Sequence, residues 1–389
     1  MGMRMLKVAI VGCGKIADDH AAHLEHIKGC EIVGVCDTEP LMTRQFCERF
    51  PVKRSFTDLG DLLGEARPDV VHITTPPASH FDIASLCLEA GCHIYVEKPF
   101  TLYAEEAARL VALAEQRDLK ITAGHNGQFT HVARRMRALV QSGFLGGGPV
   151  HMESYFCYGL GSSAYAAAFL TDQQHWIRRL PGKLLQNTIS HGIASVAEFL
   201  TAESPQVIAH GFVSPLLKSM GEREIMDELR VIIHETSGVT AYFTFSSQMR
   251  PSLHQFRIYG ARNGLVLDQD QESLIKLRGK AYKSYLEKFV PPLQFTGQYL
   301  GNFRKNISAF LRNDFHVKSG LKYLIESFYR SITEGEPVPI PYREIILTAR
   351  IMDEIFGQLG QEQPECSAAD QLASPHHTSL LPTLKAGYR

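Results

Sequence analysis

Over the first 125 residues, short apolar runs alternate with amphipathic stretches. Leu6–Val11 is a mostly apolar run closed by a glycine turn, the pattern of a strand buried on both faces. Similar runs at 31–36, 69–74, 93–96 and 120–123 are separated by segments of helical periodicity, among them 80–89 and 104–116. Strands and helices alternating at this spacing predict parallel pairing through right-handed crossovers. Residues 1–128 are therefore expected to form an α/β Rossmann domain with a doubly wound parallel sheet.

Beyond residue 128 the rhythm changes. A helix near 132–142 precedes strand-like stretches at 150–157, 207–213, 229–235, 239–245 and 254–259. Strands in succession predict an α+β domain over 129–360, built on a large open, mostly antiparallel sheet. Alternation through Thr240, Ala241, Tyr242, Phe243, Thr244 and Phe245 predicts two unlike sheet faces, one of them suited to pairing with another subunit. Helices are expected at 300–311, 317–333 and 343–359. The polar tail, 361–389, is expected to lack structure.

Composition narrows the function. A chain of 389 residues suits two domains, and 44% hydrophobic with 21% charged residues is the balance of a globular enzyme. A net charge of -1 supplies no field for nucleic acid or anionic lipid and favours a small-molecule partner. The eight cysteines contain no C-x-x-C pair, so neither a zinc site nor a disulfide framework is expected, and a reducing cytoplasm fits. The few residues before the first strand leave no room for a signal peptide, and no apolar run reaches the roughly 18 residues of a membrane span.

Gly12, Cys13, Gly14, Lys15, Ile16 and Ala17 follow the first strand and open a helix, matching the G-x-G-x-x-G/A dinucleotide fingerprint in its proper context. The first glycine allows the turn, the second lets backbone approach a pyrophosphate, and Ala17 permits close helix-to-strand packing. Asp37 closes the second strand, 23 residues after Gly14, where a carboxylate accepts from ribose hydroxyls. Thr38 and Glu39 stand where an arginine would receive a 2′-phosphate, which favours NAD over NADP, although Arg44 lies close by.

Two further segments carry a resemblance: Asp69 to His80, with Thr75, Pro76 and Pro77, and Glu89 to Phe100, with Glu97, Lys98 and Pro99. In order and spacing they resemble the Gfo/Idh/MocA oxidoreductases, the glucose-fructose oxidoreductase and inositol dehydrogenase family, most strongly over residues 6–128. Past residue 145, Trp176, Ile177 and Arg178, followed by Gly182, Asn187 and His191, are similar to that family's W-x-R, glycine and D-x-x-x-H succession. The resemblance implies hydride transfer between NAD and a sugar, sugar derivative or cyclitol. It places Lys98, His191 and Asn187 in the chemistry. It places Gly12, Gly14, Lys15, Ile16, Asp37, Thr75, Pro76, His80, Glu97, Lys98, Asn126, Trp176 and Arg178 around the cofactor. It also implies a homo-dimer or homo-tetramer paired through the C-terminal sheet.

Elementary chemistry supports the reactive set. Lys98 is expected at the carboxyl end of a parallel strand, where ligands bind in open α/β sheets, and a partly desolvated lysine there exchanges a proton with the reacting oxygen. Histidine is the usual partner for that exchange near neutral pH. Asn187 stands where many family members have aspartate, and an amide orients a hydroxyl without carrying its proton. That departure leaves room for redox-neutral sugar chemistry on tightly held NAD, and a dinucleotide-sensing regulator is the rival outside enzymology. Of the remaining signals, His20, His23 and His26 read as a solvated helix face, Asp268 to Glu272 as a turn between strands, and Lys276, Arg278, Lys280 and Lys283 as charged surface. Tyr155, Tyr158, Gln174 and His175 suit a polar pocket or ordinary sheet and loop positions equally.

Overall fold

A computed structural model describes residues 5–160, 164–312, 314–315 and 318–361. The expected tail lies outside the described residues, except for the end of the last helix. Six strands form the first sheet: β1 (Leu6–Val11), β2 (Cys30–Cys36), β3 (Ser55–Phe56), β4 (Val70–Ile73), β5 (His93–Val96) and β6 (Ile121–Ala123). Their order is β3-β2-β1-β4-β5-β6, parallel throughout. The winding of successive strands reverses between β1 and β4, which opens a crevice beyond their carboxyl ends, the usual ligand position in such sheets. The two-residue β3 is too short to leave a periodic signal.

The second sheet contains β7 (Pro149–Cys157), β8 (Gln206–Phe212), β9 (Glu228–His234), β10 (Thr240–Ser246), β11 (Leu253–Gly260), β12 (Asn263–Asp268) and β13 (Ser273–Arg278), in the order β13-β12-β11-β7-β10-β9-β8. Only β7 and β10 pair in parallel; the other neighbours are antiparallel. The pattern missed β12 and β13. β13 is an edge strand with Lys276 and Arg278 along it, and such charge blunts an edge while hiding its strand character. The turn expected at 268–272 joins these two strands, with the Asp268 carboxylate accepting from the Gln271 N–H at 2.9 Å.

The change of sheet falls between β6 and β7, and later segments of the chain return to the first core. Leu321, Leu324, Ile325, Phe328 and Tyr329, on the helix Ser319–Thr333, are buried in the core of the first domain. The final helix, Tyr342–Gln361, serves both cores, with Ile345 and Ala349 in the first and Ile351, Met352 and Ile355 in the second. The helix expected at 300–311 in fact begins at Leu286, a start that Pro291 and Pro292 obscure in the sequence. It lies along the open edge of β13, where the Gln298 amide meets the backbone N–H and C=O of Lys276 at 2.7 and 3.1 Å. Leu293, Phe303 and Phe310 on its other side are exposed. Among the described residues no helix is long and apolar enough to cross a membrane.

Candidate active site

At the end of β1 the backbone builds one half of the site. Gly12 has φ +93°, and a Cβ there would lie 2.7 Å from the Thr75 backbone nitrogen, so the approach of the β1 and β4 ends demands glycine. Gly14 is the N-cap of the helix Lys15–Leu24; no side chain caps that end, and a Cβ on Gly14 would meet nothing within 4 Å. Helix N–H groups and macrodipole thus face open space, which is what a pyrophosphate requires. The Asp37 carboxylate is oriented by the N–H of Cys13 at 2.8 Å and of Glu39 at 2.9 Å. These groups open onto a cavity of about 950 Å³, walled by Lys15, Ile16, Asp37, Thr75 and Pro76 on one side and by Glu97, Lys98, Trp176 and Asn187 on the other. Its size and donor set fit a dinucleotide.

At the end of β5 side chains take over. Lys98 Nζ donates to the Asn187 backbone carbonyl at 2.9 Å and lies 3.5 Å from its Oδ1. Burial pulls the Lys98 pKa below its ordinary value, and the Glu97 carboxylate opposes that shift. Asn187 ends its helical turn on the main cavity, whereas His191, one turn further on the helix Ser190–Ala197, lines a second cavity of about 390 Å³ with Asn126, Ser154, His254, Gln269 and Asp270. His191 Nδ1 is buried and has no hydrogen-bond partner among the described residues. Burial first, then the charge of Lys98 and the nearby His125 and His254, holds this imidazole well below the usual histidine pKa. The same burial favours the neutral ring and opposes its protonation.

His125 escaped the sequence reading. It follows β6, its ring lies 6.1 Å from that of His191, and burial above all lowers its pKa to about 4. Its place just past the end of a parallel strand was the available signal. Other expectations need correction. His80 does not reach the cofactor cavity: it is fully buried, with ring nitrogens 2.9 Å from the carbonyls of Pro99 and Thr75, and it staples those two loops together. Arg178 is likewise structural, its guanidinium held by Glu222 at 2.5 Å and by the Phe169 carbonyl at 2.8 Å. Asn126 lines the second cavity, not the first. His20 is fully buried rather than solvated, because the first helix turns that face onto the sheet. Tyr155 donates its hydroxyl to Glu153, Tyr158 stacks on His254, and His175 caps the N–H of Ile177 at 3.3 Å. Asp172 Oδ1 accepts from the Gln174 N–H at 2.8 Å. Among the described residues no group of three metal-ligating side chains converges.

Fold and crevice together define a first domain of NAD-binding Rossmann architecture. Residues 6–125 match the family described as "Oxidoreductase family, NAD-binding Rossmann fold". The D-glucoside 3-dehydrogenase of Escherichia coli is 30% identical over 142 residues, 36% of this chain and 40% of that protein, so the chain spans less than half the length of that relative. The myo-inositol 2-dehydrogenase of Thermotoga maritima is 22% identical over 319 residues, 81% of this chain and 89% of that protein. The WlbA dehydrogenase of Bordetella pertussis, solved with NADH and UDP-GlcNAcA, superposes with a TM-score of 0.73 at 15% identity, covering 92% of this chain and 96% of that one. At that identity the likeness shows the fold.

Proposed function

We propose that the protein is an NAD-dependent dehydrogenase that transfers hydride to or from a secondary carbinol carbon of a sugar, sugar derivative or cyclitol. The observation that carries this reading is the Lys98 ammonium, held by Asn187 where the dinucleotide cavity meets the second domain. NAD bound along the strand ends supplies the hydride acceptor or donor. Lys98 then presents a hydrogen bond to the reacting oxygen, and its lowered pKa eases release and recovery of a proton. His191, with an unpartnered Nδ1, is the second candidate for proton exchange, acting against the burial that favours its neutral ring. Dehydrogenation of polyols by the relatives supports the substrate class. The Asp37 carboxylate at the ribose end favours NAD over NADP.

The same reading includes a cytoplasmic homo-oligomer. Seven unpaired cysteines among the described residues suit a reducing compartment. Ile208, Ile232 and Tyr242 lie opposite one another across β8, β9 and β10 and are all exposed, an apolar row suited to a second copy of the sheet.

The test begins with mass spectrometry of small molecules released on denaturing the purified protein, followed by an absorbance screen for NADH across sugars, sugar nucleotides and cyclitols. NADH formation with one substrate class is expected. Retained NAD without net NADH from any of them would overturn the dehydrogenase reading in favour of redox-neutral or regulatory use of the cofactor.

A further inference from the structure

Behind Lys98 four polar side chains from four elements form one buried chain. His20 Nε2 on the first helix lies 3.0 Å from Glu97 Oε1, and His20 Nδ1 lies 2.7 Å from His72 Nδ1 on β4. His72 Nε2 in turn lies 3.1 Å from the hydroxyl of Tyr329, on the helix that returns from the second domain. Both imidazoles are 0% exposed, Tyr329 3% and Glu97 7%. The Tyr95 ring stacks on His72, planes 4° apart, and meets His20 edge-on. Gly124 makes room for the end of the chain, since a Cβ there would lie 2.8 Å from Glu97 Oε1.

Hydrogen-bonding capacity sets the direction of the chain. The groups facing Glu97 are His20, Lys98, Tyr95, His80 and His125. Burial opposes ionisation of Glu97, but the hydrogen bond from His20, the charge of Lys98 and the Lys98 backbone N–H at 3.2 Å outweigh it and hold the carboxyl below its ordinary pKa. An ionised carboxylate only accepts, so His20 Nε2 must donate to it. A neutral His20 then offers Nδ1 as acceptor, and His72 Nδ1 must donate. His72 Nε2 is left to accept, and Tyr329 must donate. With both rings neutral only this arrangement satisfies every link, and burial holds the His72 pKa well below its ordinary value.

We propose that Tyr329, His72 and His20 form a one-directional donor chain that sustains the Glu97 carboxylate behind Lys98, making all three positioning residues for the lysine. This rests on Lys98 as the acid-base group of the proposed reaction. The carboxylate counters the burial that would otherwise discharge the ammonium, and Tyr329 ties that balance to the docking of its helix.

The chain is tested without activity by 15N NMR of histidine-labelled protein, with His20→Gln and His72→Gln assigning the signals. A protonated Nε2 and bare Nδ1 on His20, with a protonated Nδ1 and bare Nε2 on His72, are expected. An imidazolium at His20, or His72 protonated on Nε2, overturns the chain. Its role is read from the pH profile of turnover. Tyr329→Phe removes the terminal donor and is expected to move the alkaline limb down by roughly half a unit to one unit, with NAD affinity unchanged. His72→Leu shifts it similarly, whereas His72→Gln, which keeps a donor and an acceptor, restores it. The expected tautomers together with an unmoved limb in folded Tyr329→Phe overturn the positioning role, while a protein with no dehydrogenase activity still yields the NMR answer.

Discussion

The two halves of the site are built from different material. Around the dinucleotide crevice the essential features belong to the backbone: the positive φ of Gly12, the bare Cα of Gly14 and an uncapped helix start. Around Lys98 they come from separate elements: the lysine just past β5, the Asn187 backbone carbonyl that holds it, and the His191 and His254 side chains. A backbone site is specified wherever the chain can make the turn, and it tolerates change in most neighbouring side chains. A side-chain site exists only when separate elements pack in register, so each member is open to removal without loss of the fold.

The largest test of that contrast is Lys98→Met. Turnover is expected to fall about 10²–10⁴-fold, the usual contribution of positioned proton transfer, while NADH titration by fluorescence shows unchanged affinity. Loss of cofactor binding in step with turnover would mean that the halves are not separable.

Next in size is Arg178→Met. Its guanidinium is buried against Glu222, and removing one partner of such a pair costs about 3–5 kcal/mol. The expected result is a clearly lower Tm with NAD affinity intact. Weakened NAD binding in folded protein would return Arg178 to the cofactor site.

The smallest effect concerns Glu344, which lies near Gln128, Arg137 and Glu198. Burial, then repulsion from Glu198, raises its pKa from 4.5 to about 7. The folded protein therefore holds a proton there that the unfolded chain has shed. This stabilising contribution is complete below pH 4.5 and is lost as pH rises through about 7. Glu344→Gln is expected to stabilise the protein at pH 8 by about 1–3 kcal/mol and to make little difference at pH 4.5, as followed by thermal melts. An equal gain at both pH values would assign the effect to packing.

Much of the architecture was legible in the sequence because it depends on local pattern. The glycine turn, Asp37 and the strand carrying Lys98 were found by position, and β7 to β11 by runs of apolar and alternating residues. β12 and β13 were not: β13 is a short edge strand that carries charge, and the apolar run of β12 is only three residues long. His20, His80 and Arg178 were misread for a related reason: each is polar, and only neighbours distant in sequence decide whether a polar side chain faces ligand, solvent or a buried partner.

The sequence by itself determined a Rossmann domain, a second mostly antiparallel sheet and a lysine at a strand end, because periodicity and glycine act over a few residues. Tertiary structure alone decided that the Asn187 backbone holds the Lys98 ammonium, that His191 opens onto a separate cavity, and that Tyr329 returns more than 250 positions along the chain to meet His72. Those outcomes depend on hydrogen-bonding capacity matched across elements, and no local pattern records which buried donor will meet which acceptor.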